Sequence, residues 1–255
     1  MTLGYAVLLL IAGHVAGDFY AQTNRVAKGK RGSVKLLVIH CALYSLCMLP
    51  FSVCVFSGES IALAWLVLAA SHALIDCLKG MVEGRGANPL TVFCVDQALH
   101  LACCIAVAVG LFSAHPLLDV TSLCVALVGQ PFEGSAFAVA LMLLVMWKPA
   151  AVFMRLLLHG VRVGGERCEG CGGEDDDEGL RAGRWIGMLE RTIIAVLVVH
   201  GQFAAIAFVL TAKSIARFKM LDDKEFAECY LVGTLASCVI ALVVPPLLQG
   251  IAGWV

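Results

Sequence analysis

Apolar runs of about twenty residues, separated by short polar turns, dominate this chain. Crossing ~30 Å of hydrocarbon at 1.5 Å of rise per residue takes about twenty residues. The runs at 2–21, 33–56, 60–80, 90–112, 135–158, 185–211 and 227–252 therefore predict seven membrane-spanning helices. The stretch 117–129 is apolar but short and contains Asp119, so it reads as an interfacial or re-entrant piece. The pattern describes an all-α polytopic membrane protein in four parts. These are a four-helix unit over 1–112, a loop and fifth helix over 113–160, an acidic glycine-rich loop over 161–184, and a membrane hairpin over 185–255.

Composition agrees with the pattern. The 255 residues are 60% hydrophobic and 15% charged, with mean hydropathy +0.91, far from the balance of a soluble domain. A formal net charge of −1 without any basic, aromatic-interleaved patch gives no reason to expect nucleic-acid binding. The first apolar run lacks a charged leader and carries His14 and Asp18 near its end, so it reads as a membrane helix rather than a signal peptide. Most of the twelve cysteines sit singly in apolar segments, where a thiol behaves as a small apolar side chain. No disulfide framework is expected. Cys168-x-x-Cys171 is half a zinc motif without a second half.

Charge sets the expected orientation. Arg25, Lys28, Lys30, Arg31 and Lys35 follow the first helix with no acidic residue among them, which marks that loop as cytoplasmic and the N-terminus as external. The loop with Lys79 and Arg85 is then internal again. Lys213, Arg217, Lys219 and Lys224 fall outside under seven spans, against the bias, although Asp222, Asp223, Glu225 and Glu228 accompany them.

Against this apolar background three motifs stand out: His14-x-x-x-Asp18, His72-x-x-x-Asp76 and the reversed Asp96-x-x-x-His100. Residues four apart share a helix face, and ionisable groups inside a membrane are costly and usually functional. Because successive helices alternate in direction, the reversal places every histidine of these motifs deeper than its aspartate. His40 on the second helix lies at a similar depth, on the order of 10–15 Å from the cytoplasmic surface. Four imidazoles and three carboxylates so arranged predict a shared polar site, and bundles commonly build metal sites from such groups. Imidazole and carboxylate suit zinc best, with manganese and iron as alternatives. His14, His40, His72, His100, Asp18, Asp76 and Asp96 are the candidate ligands. The three aspartates double as candidates for orienting imidazoles or acting as general base.

The same residues carry a family resemblance. His14-Val-Ala-Gly-Asp18-Phe19, Gln22, the basic loop, His40, Ser71-His72, Asp76 and Asp96-Gln97 with His100 resemble the domain-of-unknown-function 3307 family over residues 1–112. Pieces such as Gly183–Arg191 and Ala212–Phe218 look like the C-terminal region of its longer members. The resemblance implies a multi-pass protein of the bacterial cytoplasmic membrane, and it brings an architecture without an established activity. A looser similarity runs to membrane-bound metal-dependent hydrolases, at the level of site and architecture only.

In the C-terminal hairpin, Lys213 and Arg217 share a face and can pair with Glu228 across the turn. Alternatively, with Ser214, they bind an anionic lipid headgroup or a phosphate. The sequence therefore leads to a metal-dependent hydrolase acting, through a metal-bound water, on a membrane-associated substrate such as a lipid phosphoester. A proton or divalent-cation transporter using the same cluster, and a noncatalytic scaffold engaging a partner through the 166–179 loop, are the alternatives. The bilayer is the one partner the sequence implies directly.

Overall fold

The computed structural model describes residues 2–30, 32–112, 134–163, 166–167 and 178–253. The 117–129 stretch and the Cys168–Cys171 motif lie outside the described residues. The helices are α1 (Leu3–Val15), which continues through a π-helical turn (Ala16–Tyr20), α2 (Asn24–Gly29), α3 (Val34–Val55), α4 (Glu59–Glu83), α5 (Pro89–Phe112), α6 (Gly134–Gly160), α7 (Glu178–Val199), α8 (Phe203–Ala216) and α9 (Lys224–Ala252). The only strand pairing among the described residues is two residues long, Arg162–Val163 against Glu166–Arg167. The all-α membrane architecture expected from the sequence is present, with six helical stretches long and apolar enough to span.

The sixth expected span, 185–211, is two helices instead. The Gly201 amide bonds back to the Val198 carbonyl at 3.0 Å and the Gln202 amide to the Leu197 carbonyl at 2.8 Å. Gly201 sits at φ +67°. This pairing is a Schellman motif, which satisfies the last carbonyls of α7 and needs a left-handed residue that glycine supplies without strain. A hydropathy window sees through such a stop, because the residues on both sides are apolar.

The chain forms two compact units, Met1–Leu141 with Gln249–Val255 and Met142–Leu248. In the first, α1 packs on α3 and α5, α3 on α4, and α4 on α5. The burial of α1 is nearly continuous from Ala6 to Val15, as expected of a helix apolar on every side. The other three long helices of this bundle each bury a stripe at a spacing of four: His40, Tyr44, Met48 and Ser52 on α3; Ser60, Ala64, Leu68, His72 and Asp76 on α4; Val92, Asp96, His100, Cys104 and Ala108 on α5. Each of the seven candidate ligands lies on α1, its π turn or one of these stripes. The opposite faces present Val38, Leu46, Leu63, Leu66, Leu74, Val95 and Leu99, the surface a bilayer would solvate.

The second unit is held by polar contacts of its own. Lys213 pairs with Glu190 at 2.6 Å and stands over the Tyr230 ring. The Arg191 Nε donates to the Met146 carbonyl at 3.2 Å, close to Pro149 inside α6, where a helix lacks one amide donor. Cys229 is disulfide-bonded, whereas Cys41, Cys47, Cys77, Cys94, Cys103, Cys104 and Cys238 carry free thiols.

Glycine sets the close approach of α1 to α3. A Cβ on Gly17 would lie 2.8 Å from Tyr44 Cδ2 and 3.3 Å from the Tyr44 Cα, and one on Gly13 would lie 2.7 Å from Met48 Sδ. Since a backbone atom cannot step aside as a side chain does, Gly17→Ala should cost about 1–3 kcal/mol. Thermal unfolding in detergent should show that loss for Gly17→Ala and none for Gly110→Ala, whose added Cβ meets nothing within 4 Å.

Candidate functional site

The π turn shapes the first part of the site. The Ala21 amide bonds to the Ala16 carbonyl five residues back, at 2.8 Å, so the turn is one residue wider than an α turn. Such insertions are uncommon and recur at functional sites. The Gln22 side-chain amide donates to the Asp18 carbonyl, tying the chain just beyond the turn back onto it. Asp18 is held in the bundle at the level of the other carboxylates.

All seven predicted ligands come together and none is more than 5% exposed. The histidine rings form a chain, with centroid separations of 4.9 Å for His14–His100, 4.5 Å for His100–His72 and 5.1 Å for His72–His40. Tyr44 stacks flat on His72, with 3.5 Å between centroids, and fixes that imidazole plane. The C-terminal parts of α1 and α4 meet the N-terminal parts of α3 and α5, so the antiparallel order read from the motif reversal is the order observed. His40 departs slightly from the expected layering. Its Nε2 reaches Asp18 Oδ1 at 3.3 Å and Asp76 Oδ2 at 3.1 Å, joining the histidine layer to the aspartate layer.

The surroundings of that one nitrogen are informative. Besides the two carboxylates, His72 Nε2 lies 3.1 Å away and Lys30 Nζ 2.9 Å away. A ring nitrogen offers either one proton or one lone pair, so it cannot satisfy four polar atoms by hydrogen bonding. A second group is starved where the first is crowded. His100 Nε2, Asp76 Oδ1 and Asp96 Oδ1 are buried and have no hydrogen-bond partner among the described residues. Yet they face one another, His100 Nε2 at 3.4 Å from Asp96 Oδ1 and 4.0 Å from Asp76 Oδ1. Atoms bound at 2.0–2.1 Å around one tetrahedral ion stand about 3.3 Å apart, close to the first of these separations and shorter than the second.

Three sets of ligand atoms each fall within 4.8 Å: His14, His72 and His100; Asp18, His40 and His72; Asp76, Asp96 and His100. His72 and His100 each belong to two sets. These buried groups could hold a metal ion, and their sharing allows either one ion with a second sphere of supporting side chains or a pair.

Four further residues complete the site. Gln97 bridges it, its Oε1 3.2 Å from His14 Nε2 and its Nε2 donating to Asp18 Oδ2 at 3.0 Å and Asp96 Oδ2 at 3.1 Å. Lys30 Nζ donates to Asp76 Oδ2 at 2.9 Å, and Lys79 Nζ to Asp96 Oδ2 at 2.7 Å. Tyr44, stacked on His72, is the fourth. Spacing could have found two of them: Lys79 is three residues past Asp76 and Tyr44 four past His40 on the same helical faces. Lys30 was legible only as a topology signal, and nothing local points its ammonium inward.

The other candidate group is not assembled. Lys213 is engaged by Glu190, Glu228 pairs with Lys224 at 3.9 Å, and the Ser214 hydroxyl donates to the Leu210 carbonyl at 3.0 Å. The expected Lys213–Glu228 lock is therefore replaced by a pair reaching back to α7, because Glu190 is buried and needs a counter-charge. Arg217 lies instead in a shallow surface hollow with Ile215, Phe218, Lys219 and Met220.

Gln97 is the neutral keystone of the site. Gln97→Leu would strip a donor from both Asp18 and Asp96, leaving buried acceptors short, at about 1–3 kcal/mol. Unfolding in detergent should register that loss, and a variant as stable as the parent would show that the bridge is not made.

Comparison with known proteins gives one match. Residues 6–126 match the model of a family described as a protein of unknown function, DUF3307. No curated protein and no solved structure matches the chain, so the looser likeness to membrane-bound hydrolases gains nothing from them. The matched region contains all seven clustered histidines and aspartates, and over it the chain is similar to the DUF3307 family.

Proposed function

We propose that the N-terminal unit is a membrane-embedded, metal-dependent hydrolase whose substrate is a membrane-associated ester, a lipid phosphoester fitting best. The observation that carries this reading is the trio of buried ligand atoms on His100, Asp76 and Asp96 that converge without hydrogen bonds. Leaving such atoms unmatched is costly, and a divalent cation resolves all three at once. Zinc fits the mixed imidazole and carboxylate set best, with manganese and iron as the alternatives. Bound there, such an ion would supply Lewis-acid polarisation and a water of lowered pKa.

The chain's own residues then have separable tasks. Asp76 is the one aspartate of the cluster that lines a cavity of about 50 Å³ with Ala27, Lys30, Leu37, Lys79, Gly80 and Glu83. It is placed to take the proton from an attacking water while the ester bond breaks and the leaving oxygen departs. Asp18, held by Gln97 and His40, keeps the imidazole of His40 oriented. Tyr44 holds His72, and the apolar stripe beyond it keeps water out.

The transport alternative needs a polar route to the far end of the bundle. Past the histidines, the buried stripes continue as Tyr44 and Met48 on α3, Leu68 and Ala64 on α4, and Cys104 and Ala108 on α5, with Ser52 and Ser60 beyond them. A polar site separated from those serines by an apolar layer favours chemistry over passage.

Metal analysis of the purified full-length protein tests the reading. We expect at least one equivalent of zinc, manganese or iron, retained by Lys213→Met and reduced about tenfold or more in His72→Ala, since His72 serves two ligand sets. Substoichiometric metal that His72→Ala leaves unchanged would sink the proposal. With metal present, Asp76→Asn should lower hydrolysis of phosphatidic acid in vesicles by about 100-fold or more.

A further inference from the structure

Two lysines are out of place in a site built to bind a cation. Lys30 Nζ and Lys79 Nζ reach in beside the ligands with side chains only 13% and 16% exposed, and both line the cavity that leads to Asp76. Burying an ammonium costs several kcal/mol unless it is paired. As the site stands, the pairing is with the aspartates. Counted formally, the three aspartates and Glu83, which lines the same cavity, leave two net negative charges against the two ammonium groups. A divalent cation on the aspartates takes over the lysines' role as counter-charge and frees both ammonium groups in a place sheltered from water.

Neither lysine is essential to the carboxylate it now holds. Asp76 Oδ2 keeps His40 Nε2 at 3.1 Å if Lys30 leaves, and Asp96 Oδ2 keeps Gln97 Nε2 at 3.1 Å if Lys79 leaves. Each ammonium sits on a flexible four-carbon stem, Lys30 at the C-terminal cap of α2 and Lys79 near the end of α4. An ammonium displaced by a cation moves toward the cavity, since the bundle on the other side is packed. A cavity of about 50 Å³ exceeds the minimum room for one water several-fold, enough for a single compact anionic group.

Resting on the metal-site reading above, we infer that the loaded site binds a phosphate-class anion at this mouth, with Lys30 and Lys79 exchanging their aspartates for its oxygens. A phosphomonoester carries roughly 1.5 to 2 negative charges near neutral pH, matching the charge of the two freed lysines. Lysine is a common point-charge partner for phosphate. Because each ligand supplies the counter-charge the other lacks, cation and anion bind cooperatively, and linkage makes the effect reciprocal.

The test measures zinc affinity of the full-length protein by competition with a chromophoric chelator. Measurements are made in detergent with and without methylphosphonate, and in phosphatidylcholine nanodiscs with and without phosphatidic acid. We expect the anion to tighten zinc binding about tenfold. A response to methylphosphonate identifies a free phosphate group as sufficient, and a response confined to phosphatidic acid identifies a lipid headgroup. The Lys30→Met, Lys79→Met double variant should bind zinc at the same stoichiometry and lose the tightening, whereas the corresponding double arginine variant should keep it. If the methionine pair does not fold, Lys79→Met alone carries the test, because Gln97 still serves Asp96. Zinc affinity unmoved by either anion, or tightening that survives in the methionine variants, would overturn the inference. Failure of the parent protein to bind zinc, manganese or iron at all would instead overturn the metal-site reading beneath it.

Discussion

Ionised groups inside an apolar bundle must find partners or be expelled, and the N-terminal unit is organised around that constraint. Asp18, Asp76 and Asp96 lie at one end of the bundle with Lys30 and Lys79 against them, four imidazoles behind and Gln97 between. Removing charge from water costs several kcal/mol per ion, more than the crossing of two apolar helices returns. The helices therefore cannot be packed independently of the cluster. The rotation of α3, α4 and α5 about their axes is set by which stripe carries the ionisable groups. The lipid-facing surfaces are what remains.

The fold and the site were legible to different degrees, for physical reasons. Hydropathy found the long spans because length and apolarity are properties of a window. The spacing of four, with its order reversed in Asp96-x-x-x-His100, found six of the residues that the structure gathers, and matching depth added His40, because a helix face and a helix direction are both encoded locally. The break at Gly201 escaped that reading, since one left-handed residue ends a helix without changing the mean polarity around it. Gln97 was visible only as part of a quoted motif. Its bridging role depends on α1 and α5 being neighbours, which is tertiary information. Lys30 is the clearest case: it belonged to a basic loop whose composition reports orientation, while its side chain takes part in the site.

The two units show that buried charge alone does not make a candidate centre. In the second unit, Glu190 is matched by Lys213 and Arg191 by the Met146 carbonyl, so each strong group has a fixed partner. Such an arrangement locks helices together. The first unit differs in distribution, not in the amount of polarity. One nitrogen on His40 is crowded by four polar atoms while three acceptor atoms on His100, Asp76 and Asp96 go without. Hydrogen bonds alone cannot even out that imbalance, because a proton on His100 Nε2 could serve Asp96 Oδ1 at 3.4 Å but would leave Asp76 Oδ1 without a donor. A cation can, since it accepts several donors from different directions at once.

Access gives the imbalance its functional sense. Asp76 belongs both to the starved trio and to the lining of the cavity, so whatever enters the mouth meets the reactive end of the cluster first. The lysines stand at that threshold, and their charge opposes the approach of a free cation while favouring an anion. On the metal-site reading, such a site would load its ion against local repulsion from Lys30 and Lys79 and would hold it more firmly once an anion had arrived. The two lysines that make three buried carboxylates tolerable in an apolar bundle would then become, once the carboxylates are otherwise engaged, the groups that select what it acts upon.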